Sequence, residues 1–463
     1  MKKVLIITYY WPPSGGAGVQ RWLKFTRYLP GFGWQPVVYA PENPEAPVDD
    51  HSLVKDVHQQ VKVLKRRIWE PYGFYRRFLG MSPADRINAG FLSEKEKPRK
   101  KEGISVWIRG NLFIPDARRF WIRPSVRFLK QHLRKNPVDA IISSGPPHSM
   151  HLIAMKLRKQ VDVPWIADFR DPWTDIDFYH QLRLTRRADR RHRSLEQAVL
   201  KGADRVVVIG ETMAGRFGEL AGIDPEVVPN GYDEADFTMA QDKTPAPGED
   251  GSHTRAEGPS GTSPEPSHKS GAGPAAGDRF TILHVGAMNK DRNHPAFWNV
   301  LASLVSRHPE FARAVELRLI GKLDYSVTES IRAAGLEEIT RLETYLPHDR
   351  IAGTLRSAAL LYLPVNRTPN ARMIQTGKIF EYMASGRPVV GTGPVDGDAA
   401  AILADAGAGK MLDFDDEQGL KEAILGYFTQ FRAGSLPVTK PPVQYSRKNL
   451  AGRLAQILDD LAE

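Results

Sequence analysis

The stretch Ile374–Thr392, IQTGKIFEYMASGRPVVGT, limits the possible folds more than any other part of the chain. Apolar residues recur at helical spacing from Ile379 to Ala384. Gly386 then ends the helix, and an apolar strand begins at Val389. A helix that leads at once into a buried strand is the repeating unit of an α/β protein with a parallel sheet.

The start of this helix is suited to binding a phosphate group. The backbone N–H groups from Thr376 through Gly377 and Lys378 to Ile379 follow a polar loop and lie at the positive end of the helix dipole. Glu381 lies one turn further, where its carboxylate can reach hydroxyl groups of a sugar attached to that phosphate. The alternative is an ordinary helix–strand unit in which Lys378 and Glu381 only face solvent.

Short apolar runs that alternate with helical patterns predict the other strands of parallel sheets. These runs are Val4–Thr8, Gln35–Ala40, Asp139–Ser143, Val163–Trp173, Arg205–Ile209, Phe280–Gly286, Val315–Ile320 and Leu360–Val365. A glycine-rich loop after the first run, with Gly15 and Gly16, allows the backbone to approach a ligand closely. A long polar helix is predicted over Tyr179–Lys201, and its sparse apolar residues indicate that most of its surface is exposed.

Three segments resemble retaining nucleotide-sugar glycosyltransferases of family 4. GKIFEYMASGRPVVG (Gly377–Gly391) is similar to the donor-site helix of that family, and VVPNGYDEADF (Val227–Phe237) is similar to its interdomain signature. NLFIPDARRFW (Asn111–Trp121) is similar to a stretch found in one bacterial subgroup. The resemblance implies the α/β GT-B fold, in which the parallel sheets of two Rossmann-like domains face each other across a cleft. It also implies an enzyme of the bacterial polysaccharide or cell-envelope type.

The resemblance further implies roles for individual residues. Glu381 would hold the ribose of the donor, and the backbone at Thr376–Ile379 would hold its pyrophosphate. Arg292 would place a cation on the same pyrophosphate. Gly15 and Gly16 would lie against the donor phosphates or the acceptor.

Two positions depart from the pattern of the family. A glutamate usually stands where this chain has Met373, and a cation often stands where it has Ala287. Lys290 is the candidate to replace that cation.

The domain organisation follows from the strand pattern and from composition. Residues 1–237 are predicted to form an acceptor domain with a basic insertion at about 44–137, and residues 279–440 a donor domain. Residues 238–278 are rich in Pro, Gly, Ser and Thr and have little to bury, which predicts a disordered linker. Residues 441–463 are predicted to form a helix that crosses back onto the first domain.

The charge of the chain is concentrated in one segment. The net charge is +10, but Lys62–Lys135 holds 20 basic residues against six acidic ones, so that segment alone carries +14. Apolar side chains interleave with its arginines: Ile68, Trp69, Tyr72, Phe74, Tyr75, Phe78 and Leu79 lie among Arg66, Arg67, Arg76 and Arg77. Such a mixture predicts a patch that binds an anionic membrane surface. The alternative is a solvated charged face.

Two side chains are candidates for handling the proton of an acceptor hydroxyl. His148 begins the helix after the strand Asp139–Ser143, and an imidazole titrates near neutrality. Asp171 follows another strand, and ligand sites form outside the carboxyl ends of such strands. Arg170-Asp171 stands where the family usually has a histidine. Asp168 is expected to make a structural hydrogen bond, and His151 to be a helix cap or a surface histidine.

No metal and no cofactor are expected. Asp175-Ile176-Asp177 and Asp396-Gly397-Asp398 match the Asp-x-Asp pattern of metal sites, but a pattern of three residues is common by chance. The chain has no cysteine, so thiolate metal sites and disulfides are excluded. The glycine that a Walker motif requires ahead of Gly377-Lys378 is Arg372.

The sequence predicts a cytoplasmic protein on the inner face of the cell membrane. No apolar run approaches the roughly 20 residues that a membrane span needs. The apolar run near Val4 ends at Pro12-Pro13 without a small-residue cleavage site, so we interpret it as a strand and not as a signal peptide.

The predicted function is retaining, metal-independent transfer of a sugar from a nucleotide-diphosphate donor to a lipid-linked or polysaccharide acceptor. The alternative is a non-catalytic nucleotide-sugar or glycan-binding protein on the same fold, because Met373 and Ala287 stand where the family carries charge. No nucleic-acid partner is expected, since the basic segment contains no recognised nucleic-acid-binding module.

Overall fold

The computed structural model describes residues 1–45, 49–71, 100–238, 279–344 and 346–463. Two parallel sheets form the centre of the molecule, one of seven strands in the order β3-β2-β1-β4-β5-β6-β7 and one of six in the order β10-β9-β8-β11-β12-β13. The strands of the first sheet are β1 Lys2–Ile7, β2 Trp34–Pro41, β3 Lys62–Arg66, β4 Ala140–Gly145, β5 Trp165–Phe169, β6 Arg205–Val208 and β7 Glu226–Val227. Those of the second are β8 Phe280–Val285, β9 Val315–Ile320, β10 Thr340–Glu343, β11 Leu360–Pro364, β12 Val389–Thr392 and β13 Gly409–Leu412. The predicted α/β class with two Rossmann-like parallel sheets is confirmed.

Helices cover both faces of each sheet. In the first half of the chain they are α1 Ala17–Tyr28, α2 Lys100–Leu112, α3 Arg119–Lys135, α4 Ser149–Arg158, α5 Arg186–Gly202, α6 Glu211–Ala221 and α7 Glu234–Thr238. In the second half they are α8 Pro295–Arg307, α9 Pro309–Ala314, α10 Tyr325–Ala333, α11 His348–Ser357, α12 Lys378–Ser385, α13 Asp398–Asp405, α14 Glu417–Arg432 and α15 Arg447–Ala462.

The core lies on both faces of each sheet because the strands are apolar at successive positions. In β1, Leu5 and Ile7 pack into the cluster on one face, and Val4 and Ile6 pack into the cluster on the other. Each fully buried aliphatic side chain of this kind contributes about 1.5–3 kcal/mol. The two-sided burial explains why these strands read as continuous apolar runs and not as alternating ones.

The C-terminal helix α15 belongs to the core of the first sheet. Leu450, Leu454 and Leu458 pack in the same cluster as α1 and β1. The connection is fixed at Tyr232, whose N–H donates to Tyr445 O (3.0 Å) and whose carbonyl accepts from Arg447 N (2.8 Å). The segment that leaves the first domain near Tyr232 and the segment that returns to it near Tyr445 are therefore hydrogen-bonded to each other.

The helix predicted over Tyr179–Lys201 is wrong at its start. Tyr179–Leu182 is a short 3-10 turn, Arg183 has a left-handed φ of 50°, and α5 begins only at Arg186. The Thr185 hydroxyl caps the new start by accepting from Ala188 N (3.3 Å).

Edge strand β3 is an element that the sequence pattern did not reveal. Lys62, Lys65 and Arg66 are exposed along it, and Val63 and Leu64 are half-buried. An edge strand with so many charged residues reads as part of a charged segment. Thr238, the first residue of the predicted linker, ends helix α7 instead. The rest of that linker, residues 239–278, and residues 72–99 of the basic segment lie outside the described residues.

Candidate active site

Two of the predicted phosphate-binding cations lie at one turn at the carboxyl end of β8. Gly286 follows this strand with φ 143°, and a Cβ atom placed there would lie 2.5 Å from Cε of Lys378. The neighbouring carbonyl of Ala287 accepts a hydrogen bond from Nη1 of Arg292 (2.8 Å). A glycine is needed at this turn, because the left-handed φ is strained for other residues and the Lys378 side chain packs over the Cα atom.

Arg292 is held in a fixed, half-buried position. Its Nε donates to Oδ1 of Asn366 (2.5 Å), in addition to the bond from Nη1. Burial lowers the pKa of Arg292, and the nearby carboxylate of Asp177 opposes that shift. A cation that is oriented in advance and partly buried interacts strongly with the charge of a diphosphate.

The start of α12 lies beside these cations. Gly377 is its N-cap residue and carries no side-chain cap, and Oγ1 of Thr376 is buried without a partner among the described residues. The Ile379 N–H already donates to Thr376 O (3.1 Å), and its side chain is fully buried in the core. Of the backbone donors that we predicted, the Ile379 amide is therefore engaged within the turn.

Glu381 lies on the next turn of α12, beside the segment that joins the two halves. It lines a small pocket with Tyr232, Asp233, Phe237 and Ile351. Its Oε2 atom is buried and has no hydrogen-bond partner in the part of the chain that the structure describes. A buried carboxylate oxygen without a partner is costly, so this atom is suited to accept a hydroxyl group of a ligand.

The remaining predicted donor residues are Lys290, Gly15 and Gly16. Lys290 is exposed in the 3-10 turn before α8. Gly15 is buried, and Gly16 is exposed at the N-cap of α1 with φ 90°. This loop is tied to the loop after β5, because Arg170 Nη1 donates to Gly18 O (2.9 Å).

The residues described so far mostly belong to the second domain, and the loop after β5 contributes the side of the candidate site that belongs to the first domain. Asp171 is exposed, yet the surrounding protein limits its hydration and raises its pKa, against the effect of Arg170. The buried Glu196 of α5 fixes the loop. Its carboxylate accepts from Trp173 N (3.0 Å), Thr174 N (3.1 Å) and Thr174 Oγ1 (2.5 Å). Asp171 is thus a solvent-accessible carboxylate on a rigid loop.

His148 and His151 are both buried, so the prediction of a surface position for His151 is wrong. His148 stacks on the Trp173 ring (4.7 Å between centroids), and its Nδ1 lacks a partner among the described residues. His151 shares a hydrogen bond with Ser143 Oγ (2.8 Å). Burial places the pKa of His148 well below its ordinary value and lowers that of His151 to about 3. Both imidazoles are therefore neutral at neutral pH.

These buried histidines predict that the fold loses stability in mild acid. Burial also lowers the pKa of His284 to about 3, so the unfolded chain binds a proton near pH 6.5 that the folded chain does not. The contribution of each neutral histidine to the free energy of unfolding is complete above about pH 6.5. It falls by up to about 1.4 kcal/mol per pH unit as the pH drops towards 3. Chemical denaturation at pH 7.5 and 5.5 should show this fall, and His284→Leu should make it shallower. An equal slope in the variant and the wild type would contradict the assignment.

The prediction of a structural role for Asp168 is confirmed. This buried carboxylate accepts from Arg21 Nη2 (2.8 Å), Trp22 Nε1 (3.1 Å) and Ser144 Oγ (2.8 Å). Arg21 in turn donates from Nη1 to the carbonyl of Pro229 (2.9 Å), at the interdomain signature. The network connects α1, two strands of the first sheet and the segment that leads to the second half.

Side chains of the two halves also meet directly. Oδ1 of Asp398 accepts from the N–H (3.1 Å) and the hydroxyl (2.7 Å) of Thr212, at the start of α6. Asn366 Nδ2 donates to Oδ2 of Asp177 (2.7 Å). These contacts bring the carboxyl ends of the two sheets to opposite sides of one cleft.

The acids of the two Asp-x-Asp patterns are engaged with protein groups. Asp175 pairs with Arg216 (2.7 Å), and Asp396 pairs with Arg372 (2.7 Å). No group of three or more potential metal-ligand side chains occurs among the described residues. Within the same part of the chain, no helix is both long and apolar enough to cross a bilayer.

Comparisons with known proteins agree with this architecture. The family model Glycosyltransferase Family 4 matches residues 90–236, and the family model Glycosyl transferases group 1 matches residues 279–430. No curated protein matches the sequence.

Three solved structures illustrate the similarity of fold. Sucrose-phosphate synthase from Thermosynechococcus elongatus has 14% identity and a TM-score of 0.55, over 100% of this chain and 96% of that one. Anabaena HepE, in complex with UDP and glucose, has 13% identity and a TM-score of 0.54, over 100% and 97%. A glycosyltransferase from Rickettsia africae has 12% identity and a TM-score of 0.57, over 100% and 99%. Together with the two family matches, this fold shows that the chain is a glycosyltransferase of the GT-B architecture.

Proposed function

We propose that the protein transfers a sugar from a nucleotide-diphosphate donor to a lipid-linked or polysaccharide acceptor, with retention of configuration and without a metal ion. The observation that carries this proposal is the meeting of Lys378 and Arg292 at the turn after β8. The similar fold of Anabaena HepE, whose structure holds UDP and glucose, supports a nucleotide-sugar donor. Retention is what the resemblance of the donor-site helix implies.

The donor would bind along the carboxyl edge of the second sheet. Its diphosphate would lie between Lys378, Arg292 and the start of α12, which together supply the positive charge that a metal ion otherwise provides. These groups stabilise the charge that develops on the leaving diphosphate in the transition state. The unpaired Oε2 of Glu381 would accept a hydroxyl group of the ribose.

The acceptor would bind on the wall formed by the first domain. Asp171, whose pKa is raised above its ordinary value, is our candidate for orienting the acceptor hydroxyl and easing its deprotonation. His148 stacks on Trp173 of the same loop, and its buried Nδ1 has no partner among the described residues. Each group would contribute to catalysis by positioning the acceptor hydroxyl as well as by taking part in proton transfer.

Substitution of Glu381 tests the donor site. Glu381→Ala should lower kcat/KM for the nucleotide sugar by about 10- to 100-fold, because a hydrogen bond to a charged group is lost. Glu381→Gln should fall between this variant and the wild type, since its amide oxygen can still accept. Release of nucleoside diphosphate from UDP-, GDP- and ADP-sugars measures the effect. Unchanged turnover in Glu381→Ala would reject the site, and tight nucleotide binding without release from any donor would indicate the non-catalytic alternative.

We further propose that the protein acts on the inner face of the membrane, through a surface patch formed by the exposed Trp69, Leu112, Arg119 and Phe120 with the half-buried Phe113. The Trp69 and Phe120 side chains are 63% and 44% exposed, and their rings lie edge to face at 5.0 Å. The Arg119 guanidinium lies 5.7 Å from the Phe120 ring. Ile68, which we predicted to belong to such a patch, is buried in the core instead.

This patch predicts binding to anionic bilayers. The protein should float with liposomes that contain an anionic lipid and remain unbound with neutral liposomes, because exposed aromatic and basic side chains act together at such a surface. The double variant Trp69→Glu, Phe120→Glu should lose most of this binding. Val438→Glu, at another exposed apolar residue, is the matched control and should float normally. Binding that is indifferent to lipid charge would contradict the proposal.

A further inference from the structure

Asp177 reaches across the cleft to the second domain. It lies in the loop after β5, and its Oδ2 atom accepts from Nδ2 of Asn366 (2.7 Å), which follows β11. The Oδ1 atom of the same amide accepts from Nε of Arg292 (2.5 Å). One side-chain amide thus joins a carboxylate of the first domain to the cation that we assign to the diphosphate.

The two opposite charges are close but do not pair directly. The Asn366 amide stands between them, and the two hydrogen bonds put Oδ2 of Asp177 and Nε of Arg292 no more than about 7.5 Å apart. The Asp177 charge still acts on Arg292, whose pKa it raises against the effect of burial. Each charged group therefore keeps hydrogen-bonding capacity for a ligand that spans the distance between them.

The Asp177 carboxylate is held in place before any ligand binds. Phe178 N donates to its Oδ1 atom (2.9 Å). Earlier in the loop, Asp175 is bound by Arg216 (2.7 Å), and Thr174 is bound by the buried Glu196 (2.5 Å). A carboxylate on so constrained a loop loses little conformational freedom when it binds a substrate.

We propose that Asp177 accepts a hydrogen bond from a hydroxyl group of the transferred sugar and thereby determines which nucleotide sugar is used. The inference rests on the proposed function, in which Arg292 holds the diphosphate. The sugar is bonded to the phosphate that this cation would hold, and Asp177 is the carboxylate of the first domain that lies beside the cation. A carboxylate repels phosphate and only accepts hydrogen bonds, so a sugar hydroxyl is the part of the donor that it fits.

A carboxylate in this position selects by the hydroxyl that it contacts. A donor that presents the hydroxyl in the other configuration loses this hydrogen bond to a charged group, and such a loss discriminates more strongly than a difference in shape. Because Asp177 belongs to the first domain and Arg292 to the second, the contact also requires both walls of the cleft to face the donor.

The experiment compares donor selectivity with nucleotide affinity in Asp177→Ala and Asp177→Asn. Release of nucleoside diphosphate gives kcat/KM for the UDP and GDP derivatives of glucose, galactose, mannose and N-acetylglucosamine. Calorimetry gives the Kd of the nucleoside diphosphate alone. We expect Asp177→Ala to lower kcat/KM for the best donor by about 10- to 100-fold and to reduce its preference over the second-best donor by a similar factor. The Kd should stay within about threefold, and Asp177→Asn should be intermediate because its amide oxygen still accepts.

Asp162→Asn is the control, because Asp162 is a fully exposed carboxylate of the first domain that pairs with Arg158 in the segment before β5. It should keep the donor preference of the wild type. An unchanged preference in both Asp177 variants would overturn the inference alone, provided that the wild type binds the nucleotide. Tighter nucleotide binding in Asp177→Ala would also overturn it, since Asp177 would then compete with the phosphate for Arg292. A wild type that binds no nucleoside diphosphate would overturn the proposed function and this inference together.

Discussion

Replacing Arg292 by alanine is expected to lower kcat/KM for the nucleotide-sugar donor by about 10²- to 10³-fold. The guanidinium is fixed by Asn366 and by the Ala287 carbonyl before substrate binds, so it needs no reorganisation when charge develops on the leaving diphosphate. It is also half-buried, and this burial lowers its pKa. Donor-dependent release of nucleoside diphosphate, measured under kcat/KM conditions, gives the size of the loss.

Two matched variants show whether the loss comes from the charge and its orientation. Arg313→Ala removes an exposed cation of α9, which leads into the amino end of β9, and should change kcat/KM by less than about threefold. Arg292→Lys keeps the charge but cannot reproduce both fixed hydrogen bonds, so we expect an intermediate value. Equal turnover in Arg292→Ala and wild type would place the diphosphate elsewhere.

Replacing Asp168 by alanine is expected to destabilise the first domain by about 3–5 kcal/mol. Arg21 is 2% exposed and Asp168 is 1% exposed, so the substitution leaves a buried guanidinium without its counter-ion. It also removes the acceptor of Trp22 Nε1 and Ser144 Oγ. Urea denaturation followed by tryptophan fluorescence measures the change in the free energy of unfolding.

The control is an ion pair at the surface. Glu337 and Arg332 lie 3.4 Å apart with side chains 61% and 63% exposed, so Glu337→Ala should cost no more than about 1 kcal/mol. Asp168→Asn retains an acceptor oxygen and should fall between the two. If Asp168→Ala unfolds at the same urea concentration as the wild type, the buried network does not support the domain in the way that its geometry suggests.

Elements with a strong local pattern were predictable from the sequence. The helix Lys378–Ser385 and the strand Val389–Thr392 lie where the spacing of apolar residues predicts them. Both elements bury side chains that are close together in the sequence, so a short stretch contains the whole pattern. The prediction over Tyr179–Lys201 failed, since the left-handed Arg183 breaks the helix without a glycine or proline to indicate it. Edge strand Lys62–Arg66 was missed because its charges conceal the period of a strand.

The contacts that hold the site were not predictable, because they join residues far apart in sequence. Arg21 and Asp168 are separated by 147 positions, and Arg292 and Asn366 by 74. Nothing in the local sequence of Glu196 distinguishes it from an exposed helix residue, although it fixes the loop that carries Asp171. Predicting such roles requires the order of strands in the sheet, which brings the loops after β5, β8 and β11 to one cleft.

The most direct test is calorimetric titration of the protein with UDP, GDP and ADP in the presence of EDTA. The central claim is that fixed cations and a helix start, in place of a metal ion, hold the diphosphate of the donor. We predict that at least one nucleoside diphosphate binds without a metal and that Arg292→Ala weakens this binding by about 10- to 100-fold. Binding that appears only when a divalent cation is added, or that has the same Kd in Arg292→Ala, would contradict the claim.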